Sequence, residues 1–164
     1  MAALGFWTRL TLGVITALLP ILISNAGLAD DSSAAGKPQT KAGELPTLAV
    51  TVGQKKLTAS VANNDHTRRQ GLLGWTSITD DQGMLLDYGI EGKHAIHMQG
   101  MKFPIDAVWM DKGGVVTLIY PEIVPNSGLT YPSIFSSRYC LELKAGFCNR
   151  HGVKIGGRVR FGTR

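Results

Sequence analysis

The chain has 164 residues, enough for one domain with accessory segments. It is 44% apolar and 18% charged with a formal charge of +5, a globular composition that tolerates an anionic neighbour without requiring one. Twenty glycines and seven prolines favour turns and short strands and argue against long helices.

The N-terminal segment has the layout of a secretory signal peptide over residues 1–29. Arg9 supplies the positive region, Leu10–Ile23 the apolar run, and Gly27-Leu28-Ala29 the small residues of a cleavage site. The expectation is export to the periplasm or secretion. The alternative is an uncleaved anchor in the inner membrane, with residues 10–23 as the membrane segment; that run is short against the roughly 20 apolar residues a spanning helix needs. Residues 30–46 hold few apolar side chains to offset the entropy of ordering, and are read as a flexible linker. The folded domain is expected over 47–164.

Leu48–Val52 and Leu57–Ala62 alternate apolar and polar residues across Gly53-Gln54-Lys55-Lys56, the pattern of a hairpin. Asn63 or Asn64 suits the cap of one short helix near 65–73, with Arg68 and Arg69 outward, Leu72 or Leu73 inward and Gly74 as its stop. Met84–Tyr88 is the next strand. Ala95–Met98 and Ile105–Met110 follow, joined by a Gly-Met-Lys-Phe-Pro corner at 100–104. Gly113-Gly114 turns Ile105–Met110 into the β-branched run Val115–Tyr120. Pro121–Arg138 is irregular in pattern. A loop of that length either serves a function or covers a sheet edge. Tyr139–Leu143 is a strand, Phe147–Val153 a short turn or helix, and Arg158–Phe161 a final strand. The fold class is α+β, mainly β: a compact single-domain, barrel- or roll-like antiparallel sheet.

The chain holds no G-x-S-x-G elbow, P-loop, dinucleotide fingerprint or zinc-protease helix. Several of its segments, in order, resemble the DUF192 family, also called UPF0127. These are Arg69-Gln70-Gly71-Leu72-Leu73-Gly74, Gly83-Met84-Leu85-Leu86, Ile96-His97-Met98-Gln99-Gly100-Met101-Lys102-Phe103-Pro104-Ile105-Asp106, Leu141-Glu142-Leu143-Lys144-Ala145-Gly146 and His151–Gly157. The resemblance covers about residues 48–162. It departs at the close, where Gly156-Gly157 stands for the family's Gly-Asp. It implies a compact β-rich α+β domain, frequent export and no established substrate.

His97 and Asp106 are the leading site candidates. Paired strands would bring them together, for proton transfer or as two metal ligands; otherwise Asp106 accepts backbone N–H bonds at the corner. His94, three residues from His97 on a strand, is expected to point to the other face and to make no chelate with it unless a bulge intervenes. Glu142 alternates with Leu141 and Leu143, so an outward surface position is its default; its functional reading is as a partner facing the groove of His97, Met101 and Asp106. Cys140 and Cys148 have the spacing of a disulfide across the Ala145-Gly146 turn, which would contribute about 2.5 kcal/mol. The sharper alternative is a catalytic thiol beside His151. Met84, Met98, Met101 and Met110 read as core rather than as a soft-metal site. Trp75, Trp109, Tyr120 and Tyr131 read as core or rim rather than as a sugar platform.

The functional expectation is a non-catalytic module binding a small molecule, glycan or anionic envelope component near His97, Met101, Asp106 and Glu142, with 121–138 over the groove. The alternative is a hydrolase or metal-assisted enzyme using His97 and Asp106. No cofactor, resident metal or nucleic-acid partner is expected.

Overall fold

A computed structural model describes residues 45–162. The expected signal peptide and residues 30–44 of the expected linker lie outside the described residues. Among the described residues, no helix is long and apolar enough to cross a membrane.

The chain opens with two strands, β1 (Thr47–Val52) and β2 (Lys55–Ala62), paired as a hairpin in the register Val50↔Leu57. Their alternation does what it predicts: Val50, Val52, Leu57, Ala59 and Val61 are all buried in one core. The turn residue Gly53 has φ +58, and a Cβ there would lie 2.1 Å from the His151 carbonyl oxygen, so no other residue fits.

Helix α1 (Asp65–Gln70) is shorter than the 65–73 expected. Asn64 caps it: its side chain accepts from the Thr67 N–H at 3.0 Å, while Thr67 Oγ1 accepts from the Asn64 N–H at 3.2 Å. The helix stops at Gly71 (φ 41), not at Gly74, and successive turns through Trp75 swing Leu72 into the core. Arg68 does not point outward as expected. Its guanidinium donates to the Asp87 carbonyl at 2.7 Å, pairs with Asp65 and lies over the Tyr88 ring.

Strand β3 (Gln82–Gly92) follows, then β4 (Ala95–His97), β5 (Ile105–Met110), β6 (Val116–Ile123), β7 (Thr130–Pro132) and β8 (Ser137–Lys144). Short helix α2 (Phe147–Arg150) and strand β9 (Arg160–Phe161) complete the domain. Seven strands form one sheet in the order β6-β5-β8-β3-β2-β1-β9, curled into a half-barrel, and β4 pairs with β7 in a separate ribbon. The mainly β, α+β fold class is as expected. The sheet is mixed rather than purely antiparallel, because β2 and β3 run parallel. A parallel neighbour needs a crossover, and α1 lies in it.

Both faces of this sheet are covered. One face carries the core of β1, β2 and α2, with Leu85, Val108, Leu141 and Leu143. The other carries a second core of Leu72, Trp75, Met84, Leu86, Ile96, Met98 and Trp109, under α1 and β4.

The 121–138 segment is more regular than its composition suggests. β6 continues through Pro121 to Ile123, which is tolerated because β6 is an edge strand. β7 pairs with β4, placing Tyr131 opposite Ile96 and Thr130 opposite His97. Asn126 fastens the corner after β4: its Oδ1 accepts from the Gly100 N–H, and its own N–H donates to the Met98 carbonyl.

Candidate functional site

A cavity of about 310 Å³ opens between α1, β3, β4 and β8. Asp65, Arg68, Arg69, Gln70 and the Gly71–Leu73 turn line it from the α1 side. Leu86 and Tyr88 line it from β3, Ala95, Ile96 and His97 from β4, Gln99 and Met101 from the corner, and Glu142 from β8. The sequence candidates His97, Met101 and Glu142 therefore share one cavity. His97 is exposed on its wall, whereas Met101 is buried.

Glu142 is not the surface glutamate that alternation suggests. It lies opposite Met84 of β3 and Ala107 of β5, at the middle of the sheet, with 7% of its surface exposed. Burial without a compensating cation pushes its carboxyl up to about 7. Its Oε2 has no hydrogen-bond partner. Among the described residues the only other buried side-chain polar atom in that state is Trp109 Nε1, which does not line the cavity. Glycine at 71 leaves the approach open, for a Cβ at that position would lie 3.5 Å from Glu142 Oε2. Tyr88 stays a neutral phenol, its pKa raised by burial and then by the nearby Cys140 and Glu142.

Asp106 does not join them. It sits on β5 one residue before Ala107, the partner of Glu142, and so points to the opposite face. It is fully buried and accepts three backbone N–H bonds: from Glu122 (2.8 Å) and Gly146 (2.9 Å) on Oδ1, and from Cys148 (2.8 Å) on Oδ2. Its carboxyl ties the β6 bulge, the β8–α2 turn and the start of α2 together. The expected His97–Asp106 pair fails because β4 pairs with β7 and not with β5. His94 is also apart from His97, stacked on Tyr88 at 3.8 Å. Among the described residues, no three His, Cys, Asp or Glu side chains are grouped to hold a metal ion.

The expected disulfide between Cys140 and Cys148 is corrected. Both thiols are free and buried, Cys140 in the core under α1 and Cys148 in the core of the other face. Sequence spacing suggested a bridge across the turn, but the sheet itself stands between them. Nor does either resemble an activated nucleophile. Burial raises both thiols, reinforced by Glu142 for Cys140 and by Asp106 for Cys148. His151 turns to Asp80 instead, at 2.8 Å. Intact-mass analysis after alkylation is expected to show no added label on the native protein and two labels once it is unfolded in denaturant without reductant. No label in denaturant, with two appearing only after reduction, would restore the bridge.

Met84, Met98 and Met101 fill one core and Met110 the other, as packing predicts. Trp75 and Trp109 are buried. Tyr120 and Tyr131 meet edge to face at 5.3 Å and anchor the 127–132 segment through Pro132 and Ser127. None of these four aromatics lines the cavity. The 121–138 segment contributes no lining residue either; it holds β4, which does.

Residues 48–161 match the model of the DUF192 family, described as Uncharacterized ACR. The chain belongs to this family. Among solved structures the DUF192 domain is similar to a "putative transcription regulator" from Sinorhizobium meliloti, with 27% identity over 74% of this chain and 98% of that one, at a TM-score of 0.71. It also shares its fold with a protein of unknown function from Novosphingobium aromaticivorans, at 21% identity over 77% and 94% of the two chains and a TM-score of 0.65. No curated protein matches the chain.

The sequence reading overlooked Arg68, Arg69, Tyr88 and Gln99 of the DUF192 cavity. Arg69 stands in the Arg69–Gly74 segment that carries the family resemblance, with Arg68 immediately before it, and Gln99 stands in the Ile96–Asp106 segment. The place of Arg69 and Gln99 within those segments was the available signal.

Proposed function

We propose that this DUF192 domain is a non-catalytic binding module, exported by the signal peptide read in residues 1–29, that takes a small molecule into the cavity above Glu142. The observation that carries the reading is the Glu142 carboxylate oxygen. Leaving a buried acceptor unpaired costs about 1–3 kcal/mol, more for a charged group, and a bound donor would remove that cost. Charged and polar groups convergent on an apolar pocket are the usual form of a small-molecule site.

The test is thermal unfolding of the purified full chain across amino acids, hydroxy acids, amines, sugars and anionic polymers. A compound binding only the native state at a hundred times its Kd is expected to stabilise it by about 2.7 kcal/mol, and Glu142→Gln should abolish the shift. His97→Ala should weaken binding while changing stability by less than about 0.5 kcal/mol, because the ring is exposed. Shifts that survive Glu142→Gln would move the site elsewhere.

A catalytic reading draws on a different pair from the one first expected. With Asp106 saturated, it rests on Glu142 and His97 in one cavity, since a carboxyl titrating near 7 suits proton transfer. Release of product from a compound that binds, lost in Glu142→Gln, would replace the binding module with an enzyme.

A further inference from the structure

The chemistry of the cavity is different at its two ends. At the inner end the need is that of an acceptor: Glu142 Oε2 is buried and has no partner, beside the space that Gly71 leaves open. What is missing there is a donor. The guanidinium of Arg68 does not supply it, being held by the Asp87 carbonyl, by Asp65 and by the Tyr88 ring. A hydroxyl would bring one donor and no charge to a carboxylate set among apolar side chains. An ammonium brings three donors and the opposite charge, which is what a buried carboxylate requires to stay ionised.

At the α1 rim the need is reversed. Arg69 is exposed, lines the cavity and has no hydrogen bond or ion pair among the described residues. Its planar fork suits a carboxylate. The acid on that rim, Asp65, is already paired with Arg68. Much of the remaining lining is apolar, Leu72, Leu73, Leu86, Ile96 and Met101 among it. The volume, about 310 Å³, stands at the small end of the range of roughly 300–1,000 Å³ for ligand pockets.

Resting on the binding reading above, we infer that the ligand is a small zwitterion of the aliphatic amino-acid class, its ammonium on Glu142, its carboxylate on Arg69 and its side chain against the Leu72–Met101 wall. Seating the ammonium requires the ionised carboxylate, so a proton held by Glu142 leaves to solvent as the ligand enters. Affinity therefore weakens as pH falls below 7, by about tenfold per pH unit. The other charged and titratable groups around Glu142 are Asp65, Arg68 and Arg69 on α1, Tyr88 on β3, His97 on β4 and Cys140 on β8.

Titration calorimetry of the full chain with leucine, isopentylamine and 4-methylpentanoate, from pH 5 to 8 and in buffers of different ionisation enthalpy, tests this. Leucine is expected to bind at least tenfold more tightly than either one-ended analogue, with proton release near pH 6. Glu142→Gln should erase both the pH dependence and the advantage over 4-methylpentanoate, and Arg69→Ala the advantage over isopentylamine. Equal binding of leucine and 4-methylpentanoate, or affinity independent of pH in the unmodified protein, overturns the assignment, whatever the variants do. If leucine fails while another class binds in a Glu142-dependent way, the zwitterion falls and the binding module stands. If nothing in either panel binds, both fall.

Discussion

Asp106→Ala is expected to destabilise the domain by about 3–5 kcal/mol, a large fraction of the stability of a small domain. The side chain is fully buried, and three N–H groups from two separate segments, 122 and 146–148, end on its two oxygens. Alanine leaves all three donors without an acceptor, and each buried orphan costs about 1–3 kcal/mol. Asp106→Asn separates hydrogen bonding from mere volume. An amide oxygen in the place of Oδ1 keeps the Glu122 and Gly146 bonds, but its NH₂ then faces the Cys148 N–H, donor against donor. Asparagine should therefore cost clearly less than alanine, though more than a surface change. Urea unfolding midpoints of the three proteins measure the ranking. Loss of ligand binding by Asp106→Asn at a temperature where it remains folded would return Asp106 to the site; an alanine cost under about 0.5 kcal/mol would remove its structural role.

Much of the sheet can be read locally. The alternation in β1 and β2 buries Val50, Val52, Leu57, Ala59 and Val61, and the Gly113-Gly114 turn joins β5 to β6. These elements depend on neighbours in sequence, which is where a period-two pattern carries information. The reading of Glu142 as outward used the same pattern correctly and still failed. Alternation says that Glu142 and Leu141 face opposite ways; it does not say whether the second face is covered. The crossover through α1 and the β4–β7 ribbon cover it, and those contacts are far apart in sequence.

Asp106 and the cysteines fail for the related reason of register. Once Ala107 is known to pair with Glu142, strand parity alone puts Asp106 on the far face. Before that register is known, nearness to His97 is as reasonable as its absence. Cys140 shares the face of Glu142, whereas the chain turns at Ala145-Gly146 and delivers Cys148 to the other core. A sequence separation short enough for a loop closure says nothing of a sheet lying between the ends. The family segments are informative in another way: the three that hold Arg69, His97 and Glu142 are remote in sequence and meet at one cavity.

Glu142→Gln is expected to stabilise the ligand-free protein by about 3 kcal/mol above pH 7.5 and to leave it nearly unchanged at pH 4.5. The carboxyl titrates near 4.5 when the chain is unfolded and at about 7 when it is folded, with burial as the cause. Between those values the folded state binds the proton more tightly, so stability falls as pH rises through the window and is constant above it. The separation of the two values corresponds to about 3 kcal/mol at 1.36 kcal/mol per unit. Glutamine keeps the shape, cannot ionise and escapes the loss. Shifted carboxylates elsewhere, such as Asp80, held down to about 2 chiefly by its bonds to Arg150, are common to both proteins and cancel in the difference. Paired denaturant titrations at pH 4.5, 6 and 8 measure it, and a difference flat across that range would mean that Glu142 does not titrate as a buried acid. The sign also bears on function. A substitution that makes the empty protein more stable while removing its ligand response marks a residue kept at a cost to the fold, as expected of a carboxylate whose partner arrives with the ligand. A glutamate that served only to hold the sheet together would do the reverse: its replacement would lower stability at every pH, with no dependence on the window between 4.5 and 7.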